Sequence, residues 1–238
     1  KIKRNISTPK LLEIRNYIKN YLHEDPHFLT YIMLLIEAGE RMSDIMGLAW
    51  KEPVSETDKL KTTGWIDINK GEIFLRDSKD REPATIYLTD PTINILKRLQ
   101  GLIIQKNSKA DFALGSMFMF PRISDINQHI TSNSYRKKLN KLFYKFGLAE
   151  RTLIRATGSR KLYKYKLNYT LKSFRKSFVS YFGNKFGLQA ASERMRHSSV
   201  KVTKEHYFTQ EDKKFKYANI YDEVDNITYL KELGANDR

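Results

Sequence analysis

Apolar residues recur at helical spacing over the first forty positions of the chain. The run LLEIRNYIKNYL follows Ser7-Thr8-Pro9, and a polar cap with proline in the first turn favours the start of a helix. The run FLTYIMLLIEA is apolar on nearly every side, which predicts a buried helix that ends at Gly39. Ser43 suits the N-cap of a short helix, DIMGLAW, which leaves Glu40 and Arg41 in the connection between the two helices.

The pattern changes to that of strands after residue 63. The short runs GWIDI, GEIFLR and ATIYL are separated by turn residues. Asn69-Lys70-Gly71 makes a turn between the first two runs. Residues 77–81 form the loop between the second and third, with Lys79 at its tip. We therefore predict a small antiparallel three-stranded sheet.

Helical patterns return after the sheet. Asp90-Pro91 opens the helix TINILKRLQGLIIQ, and Thr131 or Ser132 caps the helix NSYRKKLNKLFYKF. Residues 151–169 interleave cations with tyrosines, and we interpret them as an irregular or hairpin segment that faces DNA.

The sequence after residue 169 predicts two helices and a loop before the C-terminal tail. Thr170 caps a helix that runs to Gly187, and a short helix ends near Arg194. The segment HSSVKVT then forms a loop that leads to Tyr207. With helices on both sides of a small sheet, the predicted class is α+β and mostly α.

The composition favours a polyanionic partner. Lys and Arg number 43 against 27 Asp and Glu, a formal net charge of +16, although a solvated basic surface has the same signature. The absence of cysteine excludes a disulfide framework, a thiolate zinc site and a cysteine nucleophile. No apolar run approaches the roughly 20 residues that span a bilayer. These features predict an intracellular protein, cytoplasmic or on the nucleoid, that binds nucleic acid and no membrane.

Arg175 stands out because it falls on the apolar side of its helix. Leu171, Phe174, Phe178 and Phe182 form one arc at 100° per residue, with Arg175 in its middle and Lys172 at its edge. A guanidinium on the buried side of a helix is costly unless an anion pairs with it. An internal salt bridge and an anionic ligand are the two alternatives.

Four runs resemble motifs of the tyrosine recombinase (phage integrase) family. LLIEAGERMSDIMGLAW is similar to its first arginine motif and LKSFRKSFVSYF to its second, while MRHSS resembles the Leu-Gly-His-Ser-Ser box and VTKEHYF the tyrosine motif. The motifs stand in the family's order, and the interval of ten positions from His197 to Tyr207 is close to the family's. The resemblance implies the catalytic domain of a DNA strand-exchange enzyme that uses neither metal, ATP nor another cofactor.

The resemblance also implies a role for each matched residue. Arg41 and Arg175 bind the scissile phosphate, where paired guanidinium groups stabilise the transition-state charge. Lys79 protonates the departing 5′ oxygen, and His197 donates a hydrogen bond to the phosphate. Tyr207 attacks and forms a 3′-phosphotyrosyl link. Three of these residues have a simpler alternative. Lys79 is otherwise a solvated turn lysine, with Lys70 and Arg81 as rivals for its role, and His197 is otherwise a residue that caps a helix end. Tyr207 is one of 14 tyrosines in the chain.

Two positions depart from the family pattern. Lys172 stands where the family usually has histidine, as in telomere resolvases and some viral integrases. A lysine still donates to a phosphate, but is a poorer proton acceptor near pH 7. Arg196 replaces the glycine expected before His197, and either adds a phosphate contact or reshapes the loop.

Domain limits and partners follow from the same resemblance. Residues 1–7 are expected to be the remnant of a linker, 8–220 the catalytic domain, and 221–238 a tail that docks on its own domain or on another protomer. The expected assembly is a tetramer on double-stranded DNA. The cations expected to contact DNA are Arg151, Arg155, Arg160, Lys161, Lys164, Lys166 and Arg196.

The leading function is integration or excision of mobile DNA, and other functions stay open. A telomere resolvase uses the same active site, and a type IB topoisomerase shares the nucleophile and the arginine pair. A non-catalytic DNA-binding relative keeps only the scaffold. A metal-dependent nuclease needs a cluster of acidic ligands, and the sequence offers no convincing one.

Overall fold

The computed structural model describes residues 5–76, 82–157, 160–197 and 199–207, apart from the side chain of Arg160. Lys79 and the tail from 208 to 238 lie outside the described residues. The helices are α1 (Thr8–Tyr21), α2 (Pro26–Ala38), α3 (Met42–Met46), α4 (Glu56–Lys61), α5 (Asp90–Ile104), α6 (Arg136–Lys145), α7 (Leu171–Phe186), α8 (Leu188–Arg194) and α9 (Val200–His206). The strands are β1 (Leu48–Ala49), β2 (Gly64–Asp67), β3 (Glu72–Leu75), β4 (Ala84–Tyr87), β5 (Pro121–Arg122), β6 (Asp125–His129), β7 (Ala149–Thr157) and β8 (Arg160–Leu167).

Helix α2 lies at the centre of the hydrophobic core. Every residue from Pro26 to Ala38 is buried, which confirms the prediction from its apolar run. Helices α1, α3, α5 and α7 pack around it, and the strands add Ile66, Ile73 and Ile86 to the same core. Each such aliphatic side chain contributes about 1.5–3 kcal/mol to the stability of the fold when fully buried. The core therefore holds α2, and with it the start of the segment that follows, in a fixed position.

The main sheet contains the predicted strands and one more. Strands β2, β3 and β4 pair antiparallel in order, as predicted. Strand β1 adds a parallel edge through Leu48 opposite Gly64. Two further two-stranded sheets, β5–β6 and β7–β8, complete the fold. The mostly helical α+β class is confirmed, whereas the single three-stranded sheet was wrong in its number of strands.

Three local predictions were wrong. The run DIMGLAW is not one helix, because α3 begins at Met42 with Arg41 as N-cap and ends at Met46 with Gly47 as C-cap. Helix α6 begins at Arg136, so neither Thr131 nor Ser132 is its cap. The predicted loop before Tyr207 is largely helix α9.

The described residues of the segment 151–167 form two paired and largely exposed strands, which favours the hairpin among the two predicted forms. Strands β7 and β8 pair antiparallel from Ala149 opposite Leu167 to Thr157 opposite Arg160. At its base, the Arg151 guanidinium lies 4.0 Å from the Tyr144 ring centre on α6 and 4.5 Å from that of Tyr163. None of the helices in the described ranges is long and apolar enough to cross a bilayer.

Candidate active site

The end of α2 and the middle of α7 meet at a close approach of backbone to ring. Gly39 ends α2 with φ of 66°, in the left-handed region. A Cβ added there would overlap the ring of Phe178 on α7. At the start of α7, Thr170 and Ser173 form a capping box, as the predicted cap requires. This packing brings Glu40 and Arg41 beside Arg175.

A cavity of about 540 Å³ collects four of the six predicted catalytic residues. Arg41, Lys172, Arg175 and Tyr207 all line it, and His206 stands at its wall beside Tyr207. The cavity lies between the α2–α3 connection, the start of α7 and the end of α9. Residues far apart in sequence are therefore brought to one concave surface that is rich in cations.

Arg175 is held from two sides by the protein. It is 5% exposed. Its Nη1 donates to the carbonyl oxygen of Gly39 at 3.0 Å and to Glu40 Oε2 at 3.3 Å. Its Nη2 donates to the Met195 carbonyl at 3.3 Å and lies 3.2 Å from His197 Nε2. Burial lowers the pKa of Arg175, and the Glu40 carboxylate opposes that shift. The internal salt bridge considered as one alternative for Arg175 is present, with Glu40 as the partner. Both residues also line the cavity, so the salt bridge does not exclude an anionic ligand there.

The tautomer of His197 follows from its neighbours. A guanidinium nitrogen only donates, so Nε2 accepts from Arg175 and the ring proton sits on Nδ1. Nδ1 lies 2.7 Å from Thr203 Oγ1, which accepts that proton in a hydrogen bond. Burial, with the charges of Arg175 and Arg41, lowers the pKa of His197 to about 4. The imidazole is therefore neutral at pH 7.

Tyr207 follows α9 and packs its ring on His197. The two ring centres are 4.8 Å apart at an interplanar angle of 29°, and the Arg175 guanidinium lies 5.5 Å from the phenol ring centre. The Tyr207 carbonyl accepts from Ser180 Oγ at 3.0 Å, and the same hydroxyl accepts from Asn5 Nδ2 at 2.6 Å. Ile6 is buried and its amide donates to Ser177 Oγ at 2.8 Å. Asn5 and Ile6, which we predicted to belong to a linker, are thus packed on α7.

Arg41 and Lys172 present their charges to the cavity. Both are exposed. Within the described parts of the chain, neither side chain has a hydrogen-bond or ion-pair partner. The Arg41 guanidinium and the Lys172 ammonium can therefore donate hydrogen bonds to an anion in the cavity, because no described residue already accepts from them. The Tyr207 phenol lines the same cavity.

Arg196 is turned inward. Its φ is 52°, which explains why a glycine is expected at this position. Its Nη1 donates to the Glu82 carbonyl at 3.0 Å and its Nη2 to Glu40 Oε2 at 3.2 Å. Of the two roles predicted for Arg196, these contacts favour shaping the loop before His197 over contacting a phosphate.

Glu40 is the site residue that the sequence reasoning missed. It is 1% exposed, and its carboxylate contacts the guanidinium groups of Arg175, Arg194 and Arg196. The signal in the sequence was a carboxylate between a helix-ending glycine and Arg41. The partners could not be named, because they lie more than 130 positions further along the chain.

The surroundings of Lys79 can be described through its neighbours only. Arg76 and Glu82 are the nearest described residues on either side, and the Glu82 carbonyl contacts Arg196 next to His197. Lys70, its rival, lies in the turn at the opposite end of β3 and 3.9 Å from Asp67. Of the two lysines, only Lys79 therefore has a near described neighbour in sequence, Glu82, that contacts a residue beside His197.

The basic hairpin begins beside the cavity. Strand β8 ends at Leu167, and Thr170 and Leu171 already line the cavity. Lys166 pairs with Glu150 at 3.4 Å between the two strands, and the backbone of Arg160 lies opposite Thr157. The exposed cations along the two strands are Arg151, Arg155, Lys161, Lys164 and Lys166.

No group of three or more His, Asp or Glu side chains in the described ranges is placed to hold a metal ion. What the cavity offers instead is positive charge beside a phenol. Such an arrangement can bind a phosphate group and stabilise negative charge that develops on it.

Comparison with known proteins gives matches by structure alone. No protein-family model matches the chain, and no curated protein sequence matches it. The XerA recombinase is similar with a TM-score of 0.58 at 12% identity, over 95% of this chain and 66% of that one. The Tn1549 transposon integrase, in complex with circular intermediate DNA, gives 0.56 at 14% identity, over 94% and 67%.

A third structure agrees with these two. The XerH site-specific recombinase, bound to a palindromic difH substrate in a post-cleavage complex, gives a TM-score of 0.56 at 16% identity, over 92% of this chain and 52% of that one. This chain spans between half and two thirds of the length of these proteins. The fold of the chain is that of a tyrosine recombinase catalytic domain, as the resemblance of its motifs implied.

Proposed function

We propose that the chain is a site-specific DNA recombinase that cleaves and rejoins strands through a 3′-phosphotyrosyl intermediate, for integration or excision of mobile DNA. The observation that carries the proposal is the common cavity of Arg41, Lys172, Arg175 and Tyr207, with His197 stacked on the tyrosine ring. A shared fold alone would not support a function, because one fold hosts many activities. The convergence of these side chains at one concave surface does.

Each residue then has a role that its position supports. Arg41 and Lys172, whose donors have no partner among the described residues, bind the non-bridging oxygens of the scissile phosphate. Arg175 completes the cationic wall behind them. The Tyr207 oxygen attacks phosphorus and releases its proton to solvent, while the bond to the 5′ oxygen breaks. Lys79 supplies the proton for that oxygen, from a loop whose base adjoins Arg196.

His197 needs a change of hydrogen bonding to take part. Its Nε2 accepts from Arg175, whereas a donor is required to bind a phosphate oxygen. Thr203 Oγ1 can donate as well as accept. A phosphate oxygen that accepts from Arg175 Nη2 in place of His197 allows the ring proton to sit on Nε2. Thr203 then donates to Nδ1, while Arg175 Nη1 stays on Glu40.

DNA is the proposed partner, and the β7–β8 hairpin the proposed second contact. Its cations are exposed along both strands, and its base adjoins the cavity. Such cations give affinity through the phosphates and leave sequence recognition to other contacts. We further propose assembly as a tetramer on DNA, with the tail 221–238 docking on its own domain or on another protomer. The proposed location is inside the cell, in the cytoplasm or on the nucleoid.

The decisive experiment is a trapping assay with end-labelled DNA. The full-length gene product is incubated in EDTA with duplexes that tile the DNA on both sides of its gene, and the mixture is denatured in SDS. A label at the 5′ end of the cleaved strand should stay with the protein, because the tyrosine is joined to the 3′ phosphate of that fragment. A label at the 3′ end should be released.

Tyr207→Phe should abolish the adduct and retain DNA binding. Tyr21→Phe is the matched control, because Tyr21 is exposed and stacks on Tyr17 away from the cavity. An adduct that survives Tyr207→Phe would place the nucleophile elsewhere. Tight binding without any adduct would contradict the enzymatic proposal, and cleavage that EDTA abolishes would favour a metal-dependent nuclease.

A further inference from the structure

We infer that Glu40 is a positioning residue for the candidate active site, because its buried carboxylate fixes Arg175 and the turn that presents His197. The inference rests on the proposed function and adds to it a residue that acts through others. Glu40 lines the cavity, and its side chain has no exposed surface.

One carboxylate faces three guanidinium groups. Glu40 Oε2 lies 3.3 Å from Arg175 Nη1 and 3.2 Å from Arg196 Nη2, and Oε1 lies 3.1 Å from Arg194 Nη1. The three side chains come from α7, α8 and the turn after α8. Without the negative charge, these guanidinium groups would repel one another in a buried setting, where such repulsion is weakly screened. Glu40 is therefore the group around which this part of the site is arranged.

The carboxylate sets the orientation of Arg175. It takes one donor of Nη1, while the Gly39 carbonyl takes the other. With Nη1 fixed on that side, Nη2 is directed at the Met195 carbonyl and at His197 Nε2. The same contact therefore decides which nitrogen of His197 carries the proton.

The second target of Glu40 is the turn before His197. Arg196 adopts a left-handed backbone that a non-glycine residue adopts at a cost. Its guanidinium bridges Glu40 and the Glu82 carbonyl beside the loop 77–81. The carboxylate thus holds an arginine at a position where the resemblance leads to glycine. Through that arginine it also ties the turn before His197 to the backbone of Glu82.

The test compares two buried carboxylates of the same helix region. Glu40→Gln removes the charge at the site. Glu37→Gln removes a carboxylate that is also buried and paired with an arginine, Arg15 at 2.7 Å, but that lies outside the cavity. Both variants should melt at lower temperature than the wild type. Adduct formation is then measured per folded molecule, well below both melting temperatures, together with DNA affinity.

A positioning role and a structural role give different results. Glu40→Gln should slow adduct formation by about 100-fold, the usual effect of a small misplacement at a reacting centre. Glu37→Gln should keep the wild-type rate within about twofold, as expected for a separate site. Equal rates per folded molecule for Glu40→Gln and the wild type would overturn the inference. A faster Glu40→Gln would overturn it too, because Glu40 would then compete with the phosphate for Arg175.

A second measurement needs neither DNA nor activity. Histidine labelled with ¹⁵N reports the tautomer of each of the five imidazoles by NMR, and the His197 signal is assigned by its loss in His197→Gln. The wild type and Glu37→Gln should show the proton on Nδ1, and Glu40→Gln a mixture of tautomers. An unchanged tautomer in Glu40→Gln would refute the inference. If the wild type forms no adduct, the proposed function fails, while this measurement still decides the role of Glu40.

Discussion

Replacing Gly39 by alanine tests the close approach that places Arg41 beside Arg175. Two costs add at this position. An L-residue in the left-handed region costs about 1–2 kcal/mol, and φ is 66° here. The new Cβ also overlaps the buried ring of Phe178, and such overpacking costs about 1–3 kcal/mol. Gly39→Ala should therefore lower the free energy of unfolding by about 2–5 kcal/mol.

Two other glycines separate these costs. Gly147 has φ of 69° but open space around a new Cβ, so Gly147→Ala should cost about 1–2 kcal/mol from strain alone. Gly101 lies inside α5 with open space and no positive φ. Gly101→Ala should stabilise the protein by about 1 kcal/mol, because alanine is the better helix former.

Urea denaturation followed by circular dichroism gives the three free energies, and the trapping assay gives the activity of the folded fraction. We expect Gly39→Ala to be the least stable variant and the only one of the three with slowed adduct formation. If Gly39→Ala were no less stable than Gly147→Ala, the Phe178 ring would be free to move aside. The reasoning that this contact fixes Arg41 against Arg175 would then be refuted.

Two further predictions concern pH and salt. Burial and Lys138 lower the pKa of His27 to about 4, so the unfolded chain binds the extra proton as pH falls below about 6.5. Stability should then decrease by about 2 kcal/mol from pH 7 to pH 5, and His27→Leu should remove this part of the pH dependence in urea titrations. Replacing Arg155, Lys161 and Lys164 by glutamine should weaken binding to any duplex, and reduce the log–log salt slope by about 0.9 for each phosphate that the hairpin no longer neutralises. A slope equal to the wild type's would contradict hairpin contact with DNA.

Local chemistry made part of this fold predictable. Helix α2 combines an unbroken apolar run with a glycine that ends it, and α7 combines an apolar arc with Thr170 at its start. In both cases all the residues that determine the helix lie within it or next to it, so the helix can be predicted from a short stretch of sequence. The strands β2 to β4 were predictable for the same reason, since short turns connect sequential neighbours.

Elements that depend on distant partners were not predictable. Strand β1 has two residues and pairs with β2 only through the tertiary fold. The sequence around it continues a helical pattern, so a single helix was the expected result. Helix α9 is short and lacks a side-chain cap, and a segment of this kind is held by what it packs against.

The candidate site shows the same division. Its catalytic residue types could be proposed from motifs, because each motif is local. Glu40 could not be assigned a role, because its three partners lie beyond residue 170 and meet it only after α2, α7 and α8 have packed. The position of Arg196 was noted as a departure from the family pattern, but its compensation by Glu40 is visible only in three dimensions.

The hydroxyl of Ser180 links the chain before α1 to Tyr207 through a single oxygen atom. It accepts from the Asn5 amide and donates to the Tyr207 carbonyl. Withdrawal of Asn5 leaves this hydroxyl with one anchor fewer, and a hydrogen bond is worth about 1 kcal/mol. A change of that size alters the balance between two arrangements about fivefold. A residue that precedes the first helix therefore helps to hold the backbone of the proposed nucleophile in place.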